Sequence, residues 1–196
     1  MLKKILKIVG GIVAGLVLVA VSLFGLAQLG VDMSPVFYFL TSSQDKSTRP
    51  SPPGTATGQI GTANVTINYG RPAKSNREIF GNVVPYNEVW RTGANEATTI
   101  TLEGNFLVAG KPLKAGQYQL FTIPRPDRWT IIFNSKAKQW GAFFHDEKSD
   151  VLRVDVPTGS SDEMLERLTI SIENAPETGF TIAWDKTKVF VPLTAQ

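Results

Sequence analysis

Residues 64–69, which read NVTINY, alternate strictly between polar and apolar side chains. Successive side chains of a β-strand point to opposite faces, so the valine, isoleucine and tyrosine would line one face and the polar residues the other. The same period of two recurs in residues 168–173 (LTISIE) and 180–184 (FTIAW). This alternation predicts strands that each turn one face towards a hydrophobic core.

Short apolar runs separated by turn residues extend this pattern through most of the chain. Pro124-Arg125-Pro126-Asp127 separates two runs, and Asp185-Lys186 predicts a hairpin near the C-terminus. Ser160 and Glu163 form a capping box that predicts one short helix. Roughly ten short strands at this spacing predict an all-β domain, either an antiparallel β-sandwich or a jelly roll. The further strands are predicted at residues 88–91, 98–103, 106–109, 118–123, 129–134, 152–156 and 189–193.

The N-terminal part of the chain has a different character. Residues 8–30 contain no charged side chain and are long enough to cross the roughly 30 Å core of a bilayer as a helix. Lys3, Lys4 and Lys7 precede this stretch, and basic flanks favour the cytoplasmic side of a membrane. We therefore predict a cytoplasmic basic flank at 1–7 and a transmembrane signal-anchor helix at 8–30, for which the lipid bilayer is the partner.

Cleavage is the alternative for the N-terminal segment, because the small residues of Ala20-Val21-Ser22 resemble a signal-peptidase site. A cleaved chain would be a soluble secreted protein, whereas an uncleaved chain would be a single-pass membrane protein with its domain in the periplasm or outside the cell. Residues 41–57 are rich in Ser, Thr, Pro and Gly, which predicts an extended linker. The exported β-sandwich domain is then predicted at 58–196.

The amino-acid composition excludes several kinds of site and partner for the exported domain. The chain contains no cysteine, which excludes disulfides, thiol catalysis and thiolate metal sites. Without the three N-terminal lysines, 17 of the 20 basic residues remain against 17 acidic residues. A domain that is neutral overall has no electrostatic footprint for nucleic acid, so we predict no nucleic-acid partner.

The densest polar chemistry lies in residues 88–96, which read EVWRTGANE. These nine residues combine two acids, an arginine, an asparagine and a tryptophan, and a second arginine lies upstream at Arg71. Arginine suits planar, bidentate recognition of oxygen-bearing groups. One interpretation is therefore a pocket for a ligand that carries carboxylate or hydroxyl groups. The predicted ligand-binding residues are Arg71, Arg91, Asn95 and Glu96, with Trp90 as a flat wall.

Two other interpretations of this block stay open. A buried Arg91 needs a partner, such as Glu96 or Glu88, because an unpaired buried guanidinium is very costly, and the block would then be a structural ion-pair network in a corner of the sandwich. An envelope hydrolase would instead use Glu88 or Glu96, with Arg91 as an electrostatic clamp. No spacing in the sequence places two carboxylates in one cleft, which favours a binding or structural role over catalysis.

No catalytic constellation, cofactor or metal site is predicted. His145 is the only histidine, and its acidic neighbours Asp146, Glu147 and Asp150 match no metal-ligand spacing. The sequence contains no Gly-x-Ser-x-Gly elbow, and its glycines do not lead from a strand into a helix as a phosphate loop requires. We therefore predict a solvated loop around His145.

Several longer motifs occur in order along the exported part. On these motifs the chain resembles the bacterial domain of unknown function family 2911 over about residues 58–193. The resemblance implies an exported β-rich protein, and it implies no activity, cofactor or catalytic set. The motifs are Tyr69-Gly70-Arg71-Pro72, Ile79-Phe80-Gly81, Val84-Pro85-Tyr86, residues 88–98 (EVWRTGANEAT), Phe121-Thr122-Ile123-Pro124, residues 129–134 (WTIIFN), Gln139-Trp140-Gly141 and residues 150–154 (DVLRV).

Together these observations predict a membrane-anchored, extracytoplasmic β-sandwich domain. Its expected role is to bind a small polar ligand, a glycan or another protein of the envelope. The alternatives are an envelope hydrolase and a purely structural domain.

Overall fold

The computed structural model describes residues 45–136 and 145–196. The predicted basic flank at 1–7, the predicted membrane segment at 8–30 and the first residues of the predicted linker lie outside the described residues. Neither described range contains a helix that is long and apolar enough to span a bilayer.

Ten β-strands and two short 3-10 helices make up the regular structure of the described ranges, which contain no α-helix. The 3-10 helices span Lys46–Thr48 and Glu147–Ser149. The strands are β1 (Pro53–Ile60), β2 (Ala63–Gly70), β3 (Thr99–Leu102), β4 (Phe106–Val108), β5 (Lys111–Leu113), β6 (Gly116–Pro124), β7 (Arg128–Asn134), β8 (Asp150–Pro157), β9 (Gly159–Glu173) and β10 (Gly179–Ala195). This content confirms the predicted all-β class.

The strands form two antiparallel sheets. One sheet has six strands in the order β1-β2-β3-β6-β7-β8, and the other has four in the order β5-β4-β10-β9. Most neighbours are successive in sequence, as in β-meanders, which favours the sandwich description over the jelly roll.

The alternation read from the sequence explains how these sheets enclose a core. In β2, Val65 and Ile67 are fully buried, whereas Asn64 and Asn68 on the other face are exposed. Tyr69 continues the buried face and reaches across to β9, where its hydroxyl accepts a hydrogen bond from the backbone N–H of Ile170 at 2.9 Å. Apolar burial of this kind stabilises the fold by about 25 cal/mol per Å².

Strand β10 reverses direction within its own bounds. The backbone N–H of Leu193 donates to the carbonyl of Thr178 over 3.0 Å, although an extended chain from residue 178 to residue 193 would span roughly 50 Å. Asp185 lies between them with a φ of 56°, in the left-handed region that turns favour. The chain therefore doubles back near Asp185, as the hairpin at Asp185-Lys186 predicts.

Two local predictions are wrong. Residues 88–91 do not form a strand, because Trp90 makes only an isolated bridge with Thr122. The helix expected after Ser160 is instead part of β9, which pairs with β10 through two register shifts. A capping box is a local signal that is overridden here because Ser160 and Leu165 on either side of it pair with Thr187 and Asp185 of β10.

The chain also becomes regular earlier than expected. Strand β1 begins at Pro53, inside the segment 41–57 that reads as a linker, and pairs with β2 along its whole length. The pairing of Pro53 with Gly70 leaves the proline at the end of an edge strand, where its missing N–H costs little. Strand β5 is not among the predicted strands, and it is a three-residue edge strand.

Candidate functional site

The polar block 88–96 forms a tight, partly buried loop after the Trp90 bridge. Thr92 is fully buried and has a φ of 57°, a conformation that is rare for a β-branched residue. The hydroxyl of Thr92 lies 3.1 Å from the hydroxyl of Thr122, and the hydroxyl of Thr98 donates to the carbonyl of Thr92 over 3.0 Å. These hydrogen bonds hold the loop in a strained shape that the surrounding strands impose.

Two glycines allow this loop to pack against the end of β2. A Cβ atom at Gly70 would lie 2.0 Å from the carbonyl oxygen of Ala94, closer than any real contact. A Cβ atom at Gly93 would lie 2.8 Å from the hydroxyl oxygen of Thr98. Glycine at positions 70 and 93 therefore allows the two backbone segments to pack closely together.

The end of the loop binds the chain that enters the domain, which we call the lead segment (residues 46–52). The carboxylate of Glu96 accepts a hydrogen bond from Arg49 at 2.9 Å and forms an ion pair with Lys46 at 3.0 Å. Asn95 donates its side-chain amide to the carbonyl of Ser51 at 2.9 Å. From the other sheet, Arg167 donates to the carbonyl of Pro50 at 2.9 Å.

The pKa values of Glu96 and Arg91 are both lowered in this loop. Partial burial raises the pKa of Glu96, but hydrogen bonds from Arg49, from its own backbone and from Lys46 lower it by more, so the pKa lies below the ordinary value of 4.5. Burial lowers the pKa of Arg91 below its ordinary value. An arginine stays charged at neutral pH despite such a shift, so Arg91 needs acceptors, one of which is the carbonyl of Asn95 at 3.2 Å.

The side chains of the other two predicted site residues make their contacts elsewhere, although the backbone N–H of Arg71 donates to the carbonyl of Pro52 at 2.8 Å. Arg71 extends along β9 and donates to the carbonyl of Leu168 at 3.3 Å. The ring of Trp90 stacks on Trp184 with centroids 6.2 Å apart and meets Trp129 edge-on at 6.0 Å. Trp90 thus packs against the hydrophobic core, and its role as the wall of a ligand pocket stays a prediction.

A small cleft of about 150 Å³ lies beside the lead segment. Glu96, Lys46 and Arg49 form part of its rim, and Tyr69 and Gly70 also line it. Of the five predicted ligand-binding residues, Glu96 alone lines this cleft. The geometry thus resembles the structural network considered above, with Lys46 and Arg49 as the partners of Glu96, and ligand binding by the block stays a prediction.

His145 lies in a polar network that sequence reasoning missed. Its side chain and that of Asp150 are 7% and 6% exposed, and the Nε2 of His145 lies 2.9 Å from the carboxylate of Asp150. Asn134 and Arg153 also donate to Asp150, at 2.7 and 2.8 Å. The prediction of a solvated loop is therefore wrong for the side chain of His145 itself, because strand register places Asn134 opposite Asp150 and sequence spacing does not reveal that register.

A second feature that sequence reasoning missed is a groove over the solvent side of the four-stranded sheet. Two adjoining cavities of about 270 and 410 Å³ share Glu177, Lys188 and Phe190. One sequence signal was available, because residues 189–193 (VFVPL) are apolar at every position although only alternate ones face the core. Within residues 45–136 and 145–196, no cluster of three or more His, Cys, Asp or Glu side chains could hold a metal ion.

The comparisons with known proteins identify a family and no relative of known function. The family model described as "Protein of unknown function (DUF2911)" matches residues 51–193. No curated protein matches the chain significantly, and neither does any solved structure. The matched range begins two residues before β1 and ends within β10.

Proposed function

The chain belongs to the DUF2911 family, whose function is unknown, and we propose that this member is a membrane-tethered binding domain that works outside the cytoplasm. The segment 8–30 would be the membrane anchor. The β-sandwich would present a binding surface to a small polar ligand, a glycan or another envelope protein.

The attachment of the lead segment carries the tether in this proposal, and the groove lined by Glu177, Lys188 and Phe190 supports the binding role. Glu96 and Asn95 hold residues 46–51 against the domain through two charge-assisted contacts and one amide hydrogen bond. A tethered domain benefits from such a joint, because the chain leaves the body at a defined place. Glu96 and Asn95, which the sequence suggested as ligand-binding residues, make these contacts with the lead segment.

The hydrolase alternative gains no support from this geometry. Glu88 is exposed, and the pKa of Glu96 lies below its ordinary value, so this carboxyl group is ionised at neutral pH. A general acid needs a raised pKa instead. Lys46 and Arg49, which lower the pKa of Glu96, also form ion pairs with its carboxylate.

Fractionation of bacterial cells that produce the full-length chain tests the tether. We expect the protein to stay in the membrane fraction after a high-salt wash and to be digested by protease added to spheroplasts. A chain without residues 1–30 should be absent from the membranes. Full-length protein in the cytosol would overturn the proposal, and release of a processed, soluble form would overturn its tether.

A further inference from the structure

The groove on the four-stranded sheet has the dimensions of a ligand site. Its two cavities, of about 270 and 410 Å³, adjoin along Lys188 and Phe190 of β10. Ligand sites of small molecules typically occupy roughly 300–1,000 Å³. On either side of the reversal at Asp185, Thr181 alternates with the core residues Phe180 and Ile182, and Phe190 alternates with Val189 and Val191, so the groove lies on the face that points away from the core.

Thr181 gives one wall of this groove an unsatisfied polar group. Its side chain lines the smaller cavity, and the residue is only 3% exposed. Its hydroxyl has no hydrogen-bond partner among the described residues. A buried hydroxyl without a partner is costly, and Thr181 is the group beside this cavity that the fold leaves unpaired.

The charges around the groove favour a cation. Glu173, Glu177 and Asp155 line its two cavities, against the ammonium group of Lys188 and the guanidinium of Arg128, which pairs with Asp155 at 3.9 Å. No ion pair within the described residues engages Glu177 or Lys188. An excess of carboxylates attracts amines and repels acidic ligands.

An aromatic ring forms the apolar part of the groove. Phe190 lines both cavities, and its ring lies over Gly179, where a Cβ atom would come within 2.9 Å of it. Pro176 and Pro192 add apolar surface at the two sides. A ring beside carboxylates and a hydroxyl offers both an apolar face and hydrogen-bonding groups to one ligand.

We propose that this groove binds a glycan that contains amino sugars. The apolar face of a sugar ring packs on Phe190, its amine pairs with Glu177 or Glu173, and its hydroxyl groups bond to Lys188. An extended peptide fits less well, because it gains main-chain hydrogen bonds at a sheet edge, whereas this groove lies on a sheet face. The inference deepens the proposed function and rests on it only for access to glycans outside the cytoplasm.

Calorimetry with the full-length chain in detergent tests the proposal with matched probes. At about pH 6 the amines of a glucosamine tetramer are charged, and we expect it to bind about tenfold more tightly than cellotetraose, which has hydroxyl groups in their place. Glu177→Gln should remove most of that preference. Phe190→Ala should weaken binding of the glucosamine tetramer about tenfold.

The matched controls are Lys186→Ala and Glu163→Gln, which change exposed residues outside the groove and should leave the affinity as it is. Equal affinity for the two tetramers, tight binding of a galacturonic acid tetramer, or full affinity in Phe190→Ala would each overturn the proposal. So would binding of a lysine-rich peptide without the sugar. These outcomes leave the fractionation result untouched, so failure of the glycan site and failure of the tether are separate findings.

Discussion

Gly70 and Ala94 touch so closely that residue 70 has no room for a side chain. The contact joins the end of β2 to the polar loop, and the φ of Gly70 does not lie in the left-handed region. The reason for glycine is therefore space and not backbone conformation. Gly110 presents the opposite case, because its φ is 81° and no atom lies within 4 Å of the place that a Cβ would take.

These two glycines give a matched pair of substitutions. Gly70→Ala should lower the free energy of unfolding by about 3 kcal/mol, because the Ala94 backbone has to move. Gly110→Ala should cost about 1 kcal/mol, which is the conformational penalty alone. Urea denaturation measures both, and a Gly70→Ala protein as stable as the wild type would contradict the observed contact.

Thr181 and Thr122 are both buried threonines, but only Thr122 has a partner for its hydroxyl, that of Thr92 at 3.1 Å. Thr181→Val should therefore raise the free energy of unfolding by about 1 kcal/mol, since it removes an unpaired polar group. Thr122→Val should lower it by about 1–2 kcal/mol. Thermal and urea unfolding compare the two, and a destabilised Thr181→Val would mean that its hydroxyl is satisfied after all.

At the scale of elements, the lead segment depends on side chains far away in sequence. Glu96→Gln keeps the shape of residue 96 and removes the charge that Lys46 and Arg49 bind. We expect residues 46–52 to open more often, so that trypsin cuts after Lys46 faster than in the wild type. Mass spectrometry of timed digests follows this cleavage.

The control for that digestion is Glu163→Gln, an exposed carboxylate with no ion pair among the described residues. It should leave the rate of cleavage after Lys46 unchanged. Identical rates in all three proteins would show that Glu96 does not hold the lead segment.

Most strands could be predicted, and the exceptions have a common physical cause. The alternating runs at 64–69, 168–173 and 180–184 lie in strands because burial of one face decides their conformation. Residues 160–165 carry a local helix signal but lie within β9, where Ser160 and Leu165 pair with β10. Residues 88–91 carry a strand signal and lie in a loop, where strained geometry and long-range hydrogen bonds prevail over local preference.

At the scale of the whole molecule, acid should weaken the fold. The pKa of Glu96 is lowered, and hydrogen bonds from Lys136, Ser149 and the backbone of Lys148 lower the pKa of Asp146 to about 2. A carboxyl group with a lower pKa in the folded state stabilises the fold above its unfolded pKa, and this stability is lost as the pH falls through the folded value. The free energy of unfolding should thus fall from about pH 4.5 downwards.

Urea denaturation at a series of pH values measures this dependence. The Glu96→Gln protein should show a shallower fall, because residue 96 no longer takes up a proton on unfolding. A free energy of unfolding that rises as the pH drops from neutral to acid would contradict the lowered pKa values of Glu96 and Asp146.

The candidate site was less accessible from sequence than the fold. The block 88–96 could be recognised as unusual, but its role depends on contacts with residues 46–51, which read as a linker. The groove combines Thr181 and Phe190 of β10 with the loop at residues 175–177. Such a juxtaposition follows from the reversal of β10 and from sheet register, which a single sequence does not specify.

The joint at Glu96 has a mechanical consequence. Any pull along the chain from its N-terminal side reaches the contacts of Lys46 and Arg49 with Glu96, and the bond from Asn95 to Ser51, before it loads β1. These contacts at the rim of the sandwich therefore bear the force first. Edge strand β1, whose loss would open the sheet, is shielded from force until they give way.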